Sequence, residues 1–177
     1  MASSNVLIPF IRSWEGGWSD DPKDSGGATM CGITMATFTD WRTGHGKPRP
    51  TKDDLRHISD AEWCDIFLSL YWRPLRADEI WSQAVANMLV DWYWHSGIVA
   101  VRTLQRLVRT EEDGIIGIRT LAKLNARDPR ELFTELRNAR IKFLTDLAVS
   151  KPSQNRFLAG WLRRVNSIEY ETIHPNI

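Results

Sequence analysis

The sequence predicts a mainly α-helical fold with one small β-hairpin close to its N-terminus. Three observations lead there. Apolar residues recur at three- and four-residue spacing along most of the 177 residues, the mark of helices that bury one face. Helix-stopping groups such as Gly16-Gly17, His95-Ser96-Gly97 and Lys151-Pro152-Ser153 fall between those stretches. Only the Asp-, Gly- and Ser-rich segment 18–34 ends in a β-capable run, Cys31 to Thr34.

Val6, Leu7, Phe10, Ile11 and Trp14 predict a first helix over 4–15, which puts Glu15 in its last turn before Gly16-Gly17. After the loop and hairpin, a helix is expected from Met35 to about Trp41, then a surface loop over 43–58, rich in Gly and Pro. Ser59-Asp60-Ala61-Glu62 is a capping box that opens a helix ending at Pro74. Residues 81–94 are apolar almost all round and predict a buried central helix, broken by His95-Ser96-Gly97. A helix over 98–108, a turn at Asp113-Gly114 and a short helix from about Ile118 follow. Asp128-Pro129-Arg130-Glu131 then supplies a cap, a first-turn proline and an acid for a long helix to about Val149. The last helix is expected over 154–169.

The length fits one compact domain or two small lobes sharing a core. With 42% hydrophobic and 25% charged residues the chain has ordinary globular composition. A net charge of +1 argues against nucleic-acid binding through bulk electrostatics. The charge divides into −4 over 1–95 and +5 over 96–177, which solvated helix faces explain at least as well as an anionic partner. Nine tryptophans favour a glycan binder mildly, although any single one is more often core. By that reasoning at least half of Trp72, Trp92, Tyr93 and Trp94 belong to the core. Cys31 and Cys64 have no metal or redox spacing, and the four histidines are scattered, so neither a metal site nor a cofactor is expected. Ser96 lacks a nucleophile elbow, and Asp113 to Gly117 is too short for a phosphate loop. The N-terminus has no signal-peptide pattern and no apolar run spans a membrane. The expectation is synthesis in the cytoplasm, with an export route needed if the target is cell wall.

Glycoside hydrolysis needs a proton donor for the leaving oxygen, and usually a second group to place water or stabilise charge. A carboxyl at a helix end, desolvated by an aromatic cleft, stays protonated near neutral pH and suits the first task. Glu15, between Trp14 and Trp18, has that setting, and a loop with Asp20, Asp21 and Asp24 follows it. Gly16, Gly17, Gly26, Gly27 and Gly32 indicate a tightly turned backbone that admits close approach of an extended ligand.

The run EGGWSDDPKDSGGATMCGIT, Glu15 to Thr34, closely resembles the signature of family 108 glycoside hydrolases, N-acetylmuramidases of phage and prophage endolysins, some of them described as secretion activators. His95-Ser96-Gly97, LQRL (104–107), DGIIGIRTL (113–121) and FLAGWLRRVN (157–166) resemble the peptidoglycan-binding segment that accompanies the family. The resemblance implies a lysozyme-like fold, with a catalytic lobe over 4–95 and a helical peptidoglycan-binding segment over 96–172 packed on it. It also implies hydrolysis of the β-1,4 bond between N-acetylmuramic acid and N-acetylglucosamine, with Glu15 as general acid. The spacing to Asp24 and Thr29 resembles the Glu–Asp–Thr triad of phage lysozymes, in which the Asp and Thr hold the attacking water. Thr29 falls one residue short of that spacing, and Asp21 is a rival that would brace the loop. Trp18, Asp21, Gly26, Gly27 and His95 are expected to meet substrate. His95 stands where the family has Asn, and Cys31 where it usually has an aromatic residue. The implied partner is the peptidoglycan glycan strand, with a holin or other export helper carrying the enzyme to the wall or periplasm. Inversion is the expected stereochemistry. A wall-binding or secretion-assisting module without cleavage stays open, as does a lytic transglycosylase, which leaves 1,6-anhydromuramic ends.

Overall fold

Leu7, Phe10 and Ile11 share the buried face of the first helix, α1 (Ser4–Trp14), whose N-terminus Ser3 caps through the Asn5 amide. In the computed structural model, residues 1–20 and 27–173 are described. Strands β1 (Thr29–Met30) and β2 (Ile33–Thr34) pair antiparallel, Thr29 opposite Thr34 and Met30 opposite Ile33. The two turn residues, Cys31 (φ 48°) and Gly32 (φ 78°), both take positive φ, as a type I′ hairpin turn requires. Thr34 then caps α2 (Met35–Gly44) through the Thr37 amide.

The stretch expected to be loop over 43–58 contains a five-residue helix, α3 (Lys52–Arg56). Thr51 and Asp54 form a reciprocal capping box that starts it, and only Leu55 is buried. Composition concealed it, because so short a helix has no repeating apolar face. The Ser59–Glu62 box opens α4 (Asp60–Phe67) as expected. Its α-helical geometry stops at Phe67, however, and continues as a wide π turn over Leu68–Trp72 and a 3₁₀ turn over Arg73–Leu75. Pro74 has no N–H to donate to the preceding turn, and the helix rearranges ahead of it.

The central helix α5 (Gln83–Ser96) is capped by Ser82 and ends at Gly97, φ 58°. His95 and Ser96 therefore belong to it, and Gly97 alone makes the break. Helices α6 (Ile98–Leu107), α7 (Ile118–Asn125) and α8 (Pro129–Ser150) follow. The expected last helix divides into a 3₁₀ segment over Pro152–Phe157 and α9 (Leu158–Asn166).

Ala84 to Trp92 of α5 are all buried, and α5 packs on both α6 and α8. One apolar cluster runs from Leu7 and Phe10 of α1 through Trp63, Phe67 and Trp92 to Leu136 of α8 and Val165 of α9. Residues on both sides of position 95 thus share a core. Among the described residues no helix is long and apolar enough to cross a membrane.

Asp128 caps the longest helix, accepting from the Arg130 and Glu131 amides at 3.0 and 2.9 Å. Asp128→Ala leaves those donors to water and should cost about 1 kcal/mol. A denaturant titration showing no shift in midpoint would contradict that.

Candidate active site

The Glu15 amide still bonds to the Ile11 carbonyl at 3.1 Å, but its own backbone is already extended (φ −85°, ψ 137°). Its side chain therefore leaves the end of α1 sideways, toward α5 and α9. Its 15% exposure leaves a small opening to solvent. Oε1 accepts from the Trp94 indole N–H at 2.8 Å and from Arg164 Nη1 at 2.9 Å. Oε2 has no hydrogen bond among the described residues and lies against Gly32.

Gly32 is required there. A Cβ on it would sit 2.7 Å from Glu15 Oε2 and 2.7 Å from Trp94 Cζ2, and its φ of +78° disfavours any L side chain. Gly32→Ala must displace the carboxyl, the indole or the hairpin. For a carboxyl that acts in catalysis, a displacement of about 1 Å would cost on the order of 100-fold in rate. Clearing of a peptidoglycan suspension at an undiminished rate by Gly32→Ala would refute this.

Trp94 belongs to an aromatic cluster, with ring centroids 4.4 Å from Tyr71, 5.8 Å from Trp63 and 5.9 Å from Phe67. Burial, with Tyr93 and Glu15 nearby, pushes the Tyr71 hydroxyl up, so it stays protonated at neutral pH. Of the four rings weighed from sequence, Trp72 and Trp92 are core at 1% exposure. Tyr93 and Trp94 are half-buried, and Trp94 reaches the carboxyl.

Behind Glu15 lies an interior ion cluster. Asp91 on α5 is fully buried and accepts from Arg164 Nη2 at 2.7 Å and Nε at 3.1 Å, and pairs with Arg140 Nη1 at 2.8 Å. Burial opposes its charge, but the two guanidiniums outweigh burial and hold the carboxyl well below the usual carboxylate range. His95 turns Nδ1 to the Asp91 carbonyl at 3.0 Å, so that nitrogen carries the hydrogen. Burial pushes the His95 pKa down, Asp91 and Glu15 opposing and Arg164 and Arg140 reinforcing the shift. The ring is thus neutral near pH 7, with Nε2 3.7 Å from Glu15 Oε1, beyond hydrogen-bond reach.

The structure thus brings Glu15, His95 and Gly32 together. Asp21, Asp24 and Gly26 lie outside the described residues. The Thr29 hydroxyl is 3.3 Å from the Gly27 carbonyl. Gly27 has positive φ and open space around it, and half-buried Trp18 stacks under the Arg56 guanidinium at 4.6 Å. Sequence reasoning missed Asp91, Arg140, Arg164 and Tyr71. A signal for Asp91 existed: an acid inside an otherwise apolar helix must find a cation.

A family model described as glycosyl hydrolase 108 matches residues 8–97. The chain belongs to this family. It is a glycoside hydrolase, and a second model, described as a predicted peptidoglycan domain, matches residues 99–166 of the same chain. Among solved structures, this hydrolase is similar to SagA from Brucella abortus, with 33% identity and a TM-score of 0.77 over 92% of this chain and 88% of that one. The likeness bears out the mainly α, lysozyme-like fold with its small hairpin. Among curated proteins no match was found.

Proposed function

We propose that this hydrolase is an N-acetylmuramidase that cleaves the β-1,4 bond between N-acetylmuramic acid and N-acetylglucosamine, with Glu15 as general acid. One observation carries the assignment: Glu15 is a mostly buried carboxyl with one oxygen held by two donors and the other free of them among the described residues. A general acid must keep one oxygen available to carry and release a proton. Oε2 gives its proton to the bridging oxygen as the sugar C1–O bond breaks, and water supplies the new hydroxyl at C1 while its other proton passes to the second carboxylate. Asp24 is the proposed second carboxylate, with Thr29 its helper in holding that water, and inversion is the expected outcome. The aromatic cluster around Trp94 and the half-buried Trp18 offer faces for sugar rings. The target is the cell-wall glycan strand, reached after synthesis in the cytoplasm with the help of a holin or similar export partner.

Mass spectrometry of soluble products from purified peptidoglycan, digested with wild type and with Glu15→Gln, tests the assignment. Reducing muramic-acid ends from wild type alone support it. Anhydromuramic ends would replace hydrolysis with lytic transglycosylation. No products from wild type, despite sedimentation with the sacculus, would leave a wall-binding module.

A further inference from the structure

Arg164 sits on α9, 149 residues from Glu15 in sequence, and its guanidinium joins two carboxylates that play different parts. Nη2 and Nε hold the buried Asp91, while Nη1 reaches Glu15 Oε1. Such a planar fork donates in fixed directions, so anchoring one edge on Asp91 fixes where the other points. The anchor is rigid: Asp91 is wholly enclosed and is held from its other side by Arg140. The guanidinium carbon also lies 5.7 Å from the Phe10 ring centroid and 6.0 Å from that of Trp14, both on the helix that ends at Glu15. A surface pair would be worth little, but side chains exposed by only 7% and 15% meet here with little water to screen them.

We propose that Arg164 is a positioning residue for Glu15, fixing Oε1 from the far end of the chain so that Oε2 is the oxygen that delivers the proton. This rests on the reading of Glu15 as the general acid. Arg164 keeps its own protons throughout; the proton that moves is the one on Oε2. The segment matched by the peptidoglycan domain therefore contributes to the catalytic centre, whatever else it binds.

The test uses the full-length protein with soluble, uncrosslinked glycan strands, measuring kcat and KM for wild type, Arg164→Lys, Arg164→Met and Glu15→Gln. Lysine keeps the charge that Asp91 needs but is a single point that cannot serve both carboxylates. The expected result is a folded Arg164→Lys with kcat down by roughly 10–100-fold and KM within about twofold, the pattern of a lost transition-state interaction. Arg164→Met should fall further and regain part of its kcat with added guanidinium ion. A cavity of about 180 Å³, lined by Arg164, Arg140, His95 and Trp161, gives that ion a way in. A folded Arg164→Lys with wild-type kcat, a change confined to KM, or loss of fold in both Arg164 variants would overturn the proposal, the last by making Arg164 merely the partner of Asp91. If Glu15→Gln is active, the reading of Glu15 fails first. If Glu15→Gln is dead and Arg164→Lys is normal, only the role of Arg164 fails.

Discussion

Glu15→Gln will abolish nearly all turnover while leaving the fold intact. The amide is isosteric with the carboxyl, and its carbonyl oxygen can still accept from Trp94 and Arg164, as Oε1 does at 2.8 and 2.9 Å. Its NH₂ group then occupies the place of Oε2 against Gly32, where an amide nitrogen cannot donate as a carboxylic acid does. General acid catalysis is worth about 10²–10⁴ in rate, and that is the loss expected in kcat, with KM little changed. The melting temperature should move by no more than a few degrees, because the substituted side chain keeps its volume and most of its contacts. A kcat within about tenfold of wild type would place the proton donor elsewhere.

Asp91→Ala will have the largest effect on stability. Asp91 lies at 0% exposure between two guanidiniums that are themselves 93% or more buried. Removing it leaves Arg140 without a carboxylate and Arg164 with Glu15 alone, and breaking a buried pair in this way typically costs about 3–5 kcal/mol. In a domain of this size that corresponds to a fall of roughly 6–20 °C in melting temperature. The pH dependence follows from the sign of the shift. The folded-state pKa of Asp91 is depressed, so its contribution is complete above the unfolded carboxylate pKa of about 3.9 and fades as pH falls from there toward the folded value. Wild type should thus lose stability on acidification more steeply than Asp91→Asn below about pH 4, measured by denaturant unfolding from about pH 5 down to about pH 2. Parallel curves for the two proteins would contradict the assigned role of the arginine pair.

Much of the fold was readable because its instructions are local. The Ser59–Glu62 box and the Asp128-Pro129 start each act within four residues, and the structure uses both; the first helix ends one residue earlier than the paired glycines predict, with Glu15 already extended. The Thr51–Asp54 box is equally local, but its one buried residue, Leu55, gives no periodicity to read. Pro74 predicts only where the helix stops; the reshaped turn ahead of it depends on which carbonyls the missing N–H leaves free. In the site, Glu15 was marked by its neighbours in sequence. The partners of Asp91 were not, since Arg164 lies 73 residues away and one arginine in an amphipathic helix looks like another. The glycine pattern predicts close approach of an extended ligand, but at one position the structure gives another reason. At Gly32 the missing Cβ makes room for the enzyme's own carboxyl and indole.

The bridge from α9 to the end of α1 also orders events in time. A ribosome delivers Glu15 149 residues before Arg164, so a growing chain holds the carboxyl long before it holds the guanidinium that meets it. Until α9 docks, Asp91 has only Arg140 as its cation, and Glu15 lacks its arginine. With Arg164 in the role proposed for it, hydrolysis requires α9, and a protease that trims α9 would silence the enzyme without touching the carboxyl.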